Sequence, residues 1–196
     1  MKITSIKQQV KRRDRFSVFV DGSYAFSLSE GGLIESRLAS GQELDAAQLN
    51  ELKKAAGLDK IYGNALRYVA MRLRSEWEMR EYLRRKGTDE EPAEQIIAKL
   101  RNIGLLDDET FTRAWVSSRA FRNTSKRRLI LELKQKHVPD RIVETVLQDE
   151  APDERATLRQ LITKKQARYP DRQKFMQYLA RQGFGYDDIK TALDEI

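Results

Sequence analysis

The segment MREYLRRKG, residues 79–87, recurs as LILELKQKH at 129–137 and as FMQYLARQG at 175–183. Each copy carries two bulky apolar residues four positions apart, and the second of them is leucine: Leu83, Leu133 and Leu179. These leucines are 50 and 46 residues apart, a spacing that indicates stacked helical repeats. Because side chains four positions apart share one face of a helix, each segment is predicted to form an amphipathic basic helix.

The repeat extends to both sides of this helix. Upstream, a bulky apolar pair precedes a base in Tyr68-Val69-x2-Arg72, Trp115-Val116-x2-Arg119 and Leu161-Ile162-x2-Lys165. Downstream, apolar residues again stand four apart in Ile96-x3-Leu100, Val143-x3-Leu147 and Ile189-x3-Leu193. The pattern predicts a mostly α fold of three tandem three-helix repeats in an elongated array. The residues predicted to be buried are Val69, Leu83, Trp115, Leu133 and Leu179, and Tyr68 is assigned to the core rather than to a base-stacking surface.

Strand-like sequence is confined to residues 3–28, where apolar and β-branched residues alternate. Asp21-Gly22 predicts a tight hairpin turn, so a small antiparallel sheet of two or three strands is expected. Ser29 is predicted to begin a short helix that packs on this sheet through Leu33, Ile34 and Leu38. Asp45 is predicted to cap a second short helix that ends at Gly57.

Start and stop residues divide the chain into four predicted parts. They are an N-terminal hairpin with short helices at 1–58 and repeats at 60–106, 107–150 and 151–196. Ser75 with Glu78 is typical of a capping box at the second helix of the first repeat. Asp107-Asp108 and Pro152-Asp153 mark the starts of the second and third repeats.

Composition favours a polyanionic partner. The 196 residues include 37 bases and 30 acids, giving a net charge of +7 and a pI near 9.6. Cysteine is absent, and neither a membrane-spanning apolar run nor a signal-peptide core occurs, so a cytoplasmic protein is expected. A monomer is predicted as well.

Basic charge concentrates on the first two helices of each repeat. Residues 113–136 hold eight bases and one acid, residues 155–174 seven and one, and residues 67–86 seven and three. Such a distribution predicts a basic stripe along the array for a long polyanion, although solvated helix faces would give the same counts. The predicted stripe consists of Arg72, Arg74, Arg84, Arg85, Lys86, Arg119, Arg122, Lys126, Arg127, Arg128, Lys134, Lys164, Lys165 and Arg168.

Motifs for enzymatic chemistry are missing from the sequence. It has no phosphate-binding P-loop, no nucleophile elbow and only one histidine, His137, which is predicted to be a surface or capping residue. The carboxylate pairs Asp107-Asp108 and Asp187-Asp188 are predicted to cap helices, the alternative being a metal or acid–base pair. The prediction is a non-enzymatic protein without a cofactor or metal site.

A longer motif resembles a known family. It reads Ala65-x2-Tyr68-Val69-Ala70-x-Arg72-x-Arg74-Ser75-x2-Glu78-Met79-x3-Leu83-x2-Lys86-Gly87, then Leu106-Asp107-Asp108-x2-Phe111-x3-Trp115-Val116-x2-Arg119. This is similar to the signature of the RecX regulators of bacterial RecA recombinase. The resemblance implies a helical array that lies in the groove of the RecA filament on DNA and limits recombinase activity. The second repeat departs from the family pattern at both ends of its second helix. It has Asn123-Thr124-Ser125 before the helix, where the family usually has glycine, and Lys136-His137 after it, where the family has Lys-Gly.

Two classes of function are therefore open. The resemblance favours a regulator that binds RecA-coated single-stranded DNA. The alternative is a free-standing basic DNA-binding or architectural protein that contacts the phosphate backbone directly.

Overall fold

The computed structural model describes residues 1–150 and 153–195. The predicted start of the third repeat at 151, with Pro152, and its end at 196 lie outside the described residues. The N-terminal elements are β1 (Ile3–Gln8), β2 (Arg15–Val20), β3 (Ser23–Ser29), α1 (Glu30–Ser36) and α2 (Ala46–Ala70). The following helices are α3 (Glu76–Arg85), α4 (Glu90–Asn102), α5 (Asp108–Ala120), α6 (Lys126–Lys134), α7 (Asp140–Glu150), α8 (Glu154–Lys165), α9 (Arg172–Arg181) and α10 (Tyr186–Asp194).

The predicted fold class is confirmed: a mostly helical chain with three-helix repeats and a small N-terminal sheet. The chain divides into two compact units, Met1–Arg72 with Tyr82–Asn102, and Leu73–Glu81 with Ile103–Ile196. This division falls inside α3, so a repeat of the sequence is not the same thing as a compact unit of the structure. The four-part division and the elongated array stay predictions.

Three antiparallel strands form the sheet in the order β1-β2-β3. Asp21 and Gly22 both adopt positive φ, 48° and 83°, as a two-residue hairpin turn requires. The inner face of the sheet is apolar and includes Ile3, Val18 and Phe26, which are buried. The predicted hairpin and its turn are therefore confirmed.

A buried polar cluster joins this sheet to α2. The Asp59 carboxylate accepts a hydrogen bond from the Ser29 backbone N–H at 2.8 Å and lies 3.0 Å from Nη1 of the buried Arg15. Arg15 also donates to the Ser27 carbonyl at 2.7 Å. A Cβ at position 32 would lie 2.9 Å from Asp59 Oδ1, so Gly32 permits α1 to approach α2 closely.

Two expectations for this region are wrong. Asp45 caps α2 as predicted, with a capping box to Gln48, but α2 continues for 25 residues through Gly57. An interior glycine costs only about 1 kcal/mol relative to alanine, and the apolar face continues beyond it to the buried Ala65 and Val69. Ile34, predicted to face the sheet, is 70% exposed.

The predicted cores of the repeats are largely confirmed. Leu83, Leu133 and Leu179 are fully buried, and Val69 is buried as well. Trp115 is the exception, because it packs only partly against the core of the second repeat. Its indole N–H donates to the Glu132 carboxylate at 3.0 Å, and that polar contact keeps one edge of the ring near the surface.

Each repeat contacts the next one along the chain, and we call each of these contacts a joint. Both joints lie within the second compact unit. The first joint comprises Ser75, Trp77 and Glu78 against Lys136 and His137. The Ser75 hydroxyl accepts the Glu78 N–H as a helix cap and donates to the Lys136 carbonyl at 3.0 Å. The Lys136 ammonium lies 2.7 Å from the Glu78 carboxylate, and the Trp77 and His137 rings stack with centroids 4.5 Å apart.

The second joint uses the matching positions one repeat later. It comprises Ser125, Arg127 and Arg128 against Gln182 and Gly183. The Ser125 hydroxyl accepts the Arg128 N–H and donates to the Gln182 carbonyl at 2.6 Å. The Arg128 guanidinium reaches the Gln182 side chain at 3.3 Å. A serine that both caps its own helix and contacts the next repeat is therefore present twice.

The departures of the second repeat from the family pattern affect its loops only. Asn123 and His137 have φ of 55° and 52°, the left-handed conformation that glycine adopts most easily. Asparagine tolerates this region, and the Asn123 amide also donates to Gln160 at 2.8 Å. His137 is exposed, as predicted, and its ring contacts Trp77.

Candidate partner-binding surface

The bases of the predicted stripe differ in how much of their charge remains available. Within the described residues, one group makes no side-chain hydrogen bond or ion pair: Arg122, Lys126, Arg127, Lys164, Lys165 and Arg168. All of these are exposed except Lys165, which is half-buried. They lie on or beside α5, α6 and α8 in the second compact unit. Their charge is available to a partner.

A second group is engaged inside the protein. Glu132 accepts from Arg119 at 2.6 Å and from Arg128 at 3.4 Å. The Arg119 guanidinium also lies over the Trp115 ring, 4.2 Å from its centroid. Lys134 is 3.6 Å from the Asp140 carboxylate, and both side chains are exposed. Arg119 is therefore primarily a structural residue, while Arg128 and Lys134 have both internal and outward-facing charge.

The bases of the first repeat lie in different places. Arg72, Arg84, Arg85 and Lys86 belong to the first compact unit and are exposed. Arg74 belongs to the second unit and is half-buried. The Lys86 ammonium lies 5.7 Å from the centre of the Tyr82 ring, and Tyr82 stacks on Tyr68 with centroids 4.1 Å apart. A continuous stripe over all three repeats stays a prediction.

Helix α6 begins with three bases and no acid in its first turn, which is unfavourable for its dipole. This start is stabilised in two ways. Ser125 caps it, and Arg128 forms an ion pair with Glu132 one turn later, an acid that it shares with Arg119. Lys126 and Arg127 have no such compensation among the described residues. These two residues are thus the clearest candidates for an external anion.

A groove of about 420 Å³ lies between α6 and α9, and we call it the arginine groove. Its lining includes Arg127, Arg128, Leu131 and Glu132 from α6 and Ala180 and Arg181 from α9. Leu131 is 55% exposed although its neighbours Leu129 and Leu133 are fully buried. The groove thus combines three arginines with an accessible apolar side chain in one lining.

Arg181 and Leu131 were missed by the sequence argument. The repeat alignment contained the signal for Arg181, because it occupies the position of Arg85, which was included in the stripe. The alignment held a signal for Leu131 as well, because the matching positions of the other repeats are Glu81 and Gln177. It also lies two positions from the core leucine Leu133, which places it on a different face of the helix.

The ion pairs of Glu132 with Arg119 and Arg128 can be tested through the pH dependence of stability. Burial tends to raise the pKa of its carboxyl, but the hydrogen bonds and charge of Arg119, with the hydrogen bonds from Trp115 and Arg128, outweigh burial and hold the pKa below its usual range. Because the pKa of Glu132 is lower in the folded protein, its carboxylate stabilises the fold above the unfolded-state pKa of about 4.3. This stabilisation is lost as the pH falls through the folded-state pKa.

We expect Glu132→Gln to lower the free energy of unfolding by about 1–2 kcal/mol at pH 7. The deficit should shrink below about pH 4, where the wild-type carboxyl also becomes neutral. Urea denaturation between pH 3 and pH 7 measures this. Glu144→Gln on α7 removes an exposed acid without a side-chain partner among the described residues, so it should shift stability by less than about 0.5 kcal/mol at every pH. A deficit in Glu132→Gln that is independent of pH would contradict the ionic role.

The acidic pairs lie at helix starts, as predicted, but only one of the four carboxylates caps its own helix. Asp107 caps α5 and accepts the N–H groups of Glu109 and Thr110 at 2.7 and 3.3 Å. Asp108 instead accepts the Glu76 N–H at 2.8 Å, and so caps α3 rather than its own helix. Burial raises the pKa of Asp108 against the opposing effect of that hydrogen bond. Asp187 and Asp188 lie inside the first turn of α10, whose N-cap is Gly185 without a side-chain capping bond, so the prediction that this pair caps its helix is wrong. Their negative charge at this position is favourable for the helix dipole.

In residues 1–150 and 153–195, no group of three or more His, Cys, Asp or Glu residues is arranged to hold a metal ion. Over the same part of the chain, no helix has the length and apolar character that crossing a membrane requires.

Comparison with protein families gives four matches along the chain. The model described as the regulatory protein RecX N-terminal domain matches residues 1–45. Those described as the first, second and third RecX three-helix domains match residues 62–100, 107–147 and 153–193.

Individual proteins and structures agree with these matches. Regulatory protein RecX of Bacillus velezensis is 31% identical over 98% of this chain and 76% of its own length. That of Levilactobacillus brevis is 34% identical over 97% of this chain and 74% of its own length. A crystal structure of regulatory protein RecX superposes with a TM-score of 0.78 at 30% identity, covering 98% of both chains. RecX from Lactobacillus salivarius gives a TM-score of 0.62 at 28% identity over 70% of this chain and 95% of its own.

Proposed function

Because this chain belongs to the RecX family of regulatory proteins, we propose that it is a non-enzymatic regulator that binds the RecA filament on DNA and inhibits recombination and ATP hydrolysis. Cytoplasmic location and a monomeric state are part of the proposal. Its contact with DNA is made mainly through the filament.

The exposed bases without internal partners carry this proposal. Lys126 and Arg127 stand in the first turn of α6, where their own helix disfavours them, and Arg122, Lys164 and Arg168 add to the same unit. A folded protein loses little by replacing such residues with neutral ones, so a binding partner is the simplest reason to have them. A RecA filament presents DNA phosphates together with an extended protein surface, and therefore suits a repeated basic surface.

The second candidate function, direct binding to bare DNA, rests on the same positive charge. It predicts similar affinities for bare and RecA-coated single-stranded DNA, with a steep decrease as salt rises. The filament proposal instead requires much tighter binding to coated DNA.

The test changes Lys126 and Arg127 to Glu together. Arg128 is left in place because it contacts Glu132 and Gln182, so reversing its charge would disturb the second joint. We expect binding to RecA-coated DNA to weaken at least about tenfold, equivalent to about 1.4 kcal/mol, with a nearly unchanged melting temperature. Binding is measured by fluorescence anisotropy on a labelled oligonucleotide, with and without RecA.

Lys53→Glu with Lys60→Glu is the matched control. Both lysines lie on α2, are exposed, and have no side-chain partner among the described residues. Each substitution lowers the net charge by two, so both double variants go from +7 to +3. An equal loss in the control would assign the effect to net charge, whereas unchanged binding by the first variant would remove α6 from the interface.

Inhibition is tested separately from binding. The wild-type protein is expected to suppress DNA-dependent ATP hydrolysis by RecA, and the α6 variant to need at least about tenfold more protein for the same effect. If the wild type bound the filament without lowering ATP hydrolysis, it would be a filament-binding protein and not an inhibitor of this activity.

A further inference from the structure

The two joints have matching positions but differ in what occupies their outer edge. In the first joint, Trp77 stacks on His137 at an interplanar angle of 21°. In the second joint, the corresponding residues of the repeat alignment are Arg127 and Gly183. Neither of these two residues is aromatic, and both belong to the lining of the arginine groove.

Close packing at the second joint explains why position 183 is occupied by glycine. A Cβ at position 183 would overlap the Ser125 hydroxyl and would lie 3.3 Å from the Arg128 backbone nitrogen. The groove is therefore framed by a close backbone contact, while its lining includes exposed side chains: Arg127, Arg128, Leu131 and Arg181. A rigid frame with accessible side chains is typical of a preformed binding site.

The charges around the groove are unbalanced. Arg127, Arg128 and Arg181 contribute three positive charges, and Glu132 is the acid in the lining. Both carboxylate oxygens of Glu132 already accept hydrogen bonds, one from Arg119 and Trp115 and the other from Arg128. The unsatisfied part of the lining is thus cationic, and an incoming group should be anionic.

Apolar surface in the groove restricts the kind of anion further. Leu131 is 55% exposed and lies in the same lining as Ala180. Among the described residues that line the groove none is aromatic, so it offers no ring on which a nucleobase could stack. A phosphodiester backbone makes no use of an exposed leucine. Planar guanidinium groups around an apolar contact suit carboxylates on either side of an apolar side chain.

We propose that the arginine groove binds an acidic protein segment, with an apolar side chain of that segment against Leu131 and its flanking carboxylates on Arg127 and Arg181. This rests on the proposed function and deepens it, because it makes the protein of the filament, and not its DNA, the occupant of the groove. The exposed bases outside the groove remain available for phosphates.

Leu131→Ala tests the proposal, because it removes apolar surface and leaves every charge in place. The two probes are a single-stranded oligonucleotide coated with RecA and the same oligonucleotide bare. We expect binding of the variant to coated DNA to weaken at least about fivefold and binding to bare DNA to change by less than about twofold. Ile34→Ala, which truncates a 70% exposed residue of the other compact unit, should change neither affinity by more than about twofold.

The outcomes separate this inference from the proposed function. Failure of the wild type to prefer coated DNA would overturn the proposed function and this inference with it. A wild type that prefers coated DNA, combined with a Leu131→Ala variant that binds it equally well, would overturn the inference alone. If Leu131→Ala lost equal affinity for coated and bare DNA, the groove would be a nucleic-acid site. If Ile34→Ala lost as much affinity for coated DNA as Leu131→Ala, the groove would have no specific role in binding.

Discussion

Leu133→Ala is expected to lower the free energy of unfolding by about 2–5 kcal/mol, the usual range for truncating a buried leucine. Leu133 is fully buried in the core of the second repeat, together with Phe111, Val143 and Leu147. Removing its terminal carbon atoms leaves a cavity that helices fixed by neighbouring contacts can fill only in part. Urea denaturation followed by far-ultraviolet circular dichroism measures the effect.

Leu131→Ala is the control for this prediction. It makes the same chemical change two residues earlier on α6, at a side chain that is 55% exposed. Its free energy of unfolding should stay within about 0.5 kcal/mol of the wild type. If the two variants lost equal stability, the assignment of the faces of α6 would be wrong, and with it the alignment of the repeats.

Gly183→Ala is expected to lower the free energy of unfolding by about 2–4 kcal/mol, because two causes act together. Gly183 has φ of 97°, a conformation that disfavours any residue with a Cβ. The added methyl group would also overlap the Ser125 hydroxyl, which caps α6 and donates to the Gln182 carbonyl. Relieving the overlap therefore requires the second joint to open.

Gly87→Ala separates these two causes. Gly87 occupies the matching position after α3 and has φ of 71°, but among the described residues, apart from its chain neighbours, no atom would lie within 4 Å of its Cβ. Gly87→Ala should lower the free energy of unfolding by only about 1–2 kcal/mol, the cost of placing a residue with a Cβ at positive φ. A Gly183→Ala variant no less stable than Gly87→Ala would show that the joint accommodates a methyl group and that its contacts do not restrain the repeats.

The joints also explain why the compact units do not follow the repeats. The first part of α3 belongs to the second unit because Ser75, Trp77 and Glu78 contact Lys136 and His137. Those partners are about 60 residues away in the sequence. Repeat periodicity identifies which residues are equivalent, but contacts of this range depend on how one repeat packs on the next.

Periodicity in the sequence is also insufficient to show which charges of the candidate binding surface are available. The sequence identified Lys126, Arg127 and Arg128 as one basic cluster. The structure separates them, because Arg128 pairs with Glu132 and contacts Gln182, whereas Lys126 and Arg127 have no such partners among the described residues. Counting charges along a chain cannot show which of them are neutralised across space.

The sequence by itself determined the helices, the hairpin turn and most of the repeat cores. Each of these follows from interactions between residues a few positions apart: a four-residue apolar spacing defines a helix face, and Asp21-Gly22 defines a turn. It failed at Gly57, where a weak local preference against helix was overcome by packing along α2. Packing between distant segments decided that Asp108 caps another helix and that Trp115 stays half-buried beside Glu132. It also decided that Arg181 of α9 lines the same groove as Arg127 of α6. The physical reason is that burial and electrostatic neutralisation depend on distances between side chains, and residues far apart in the chain acquire those distances only when the repeats pack together.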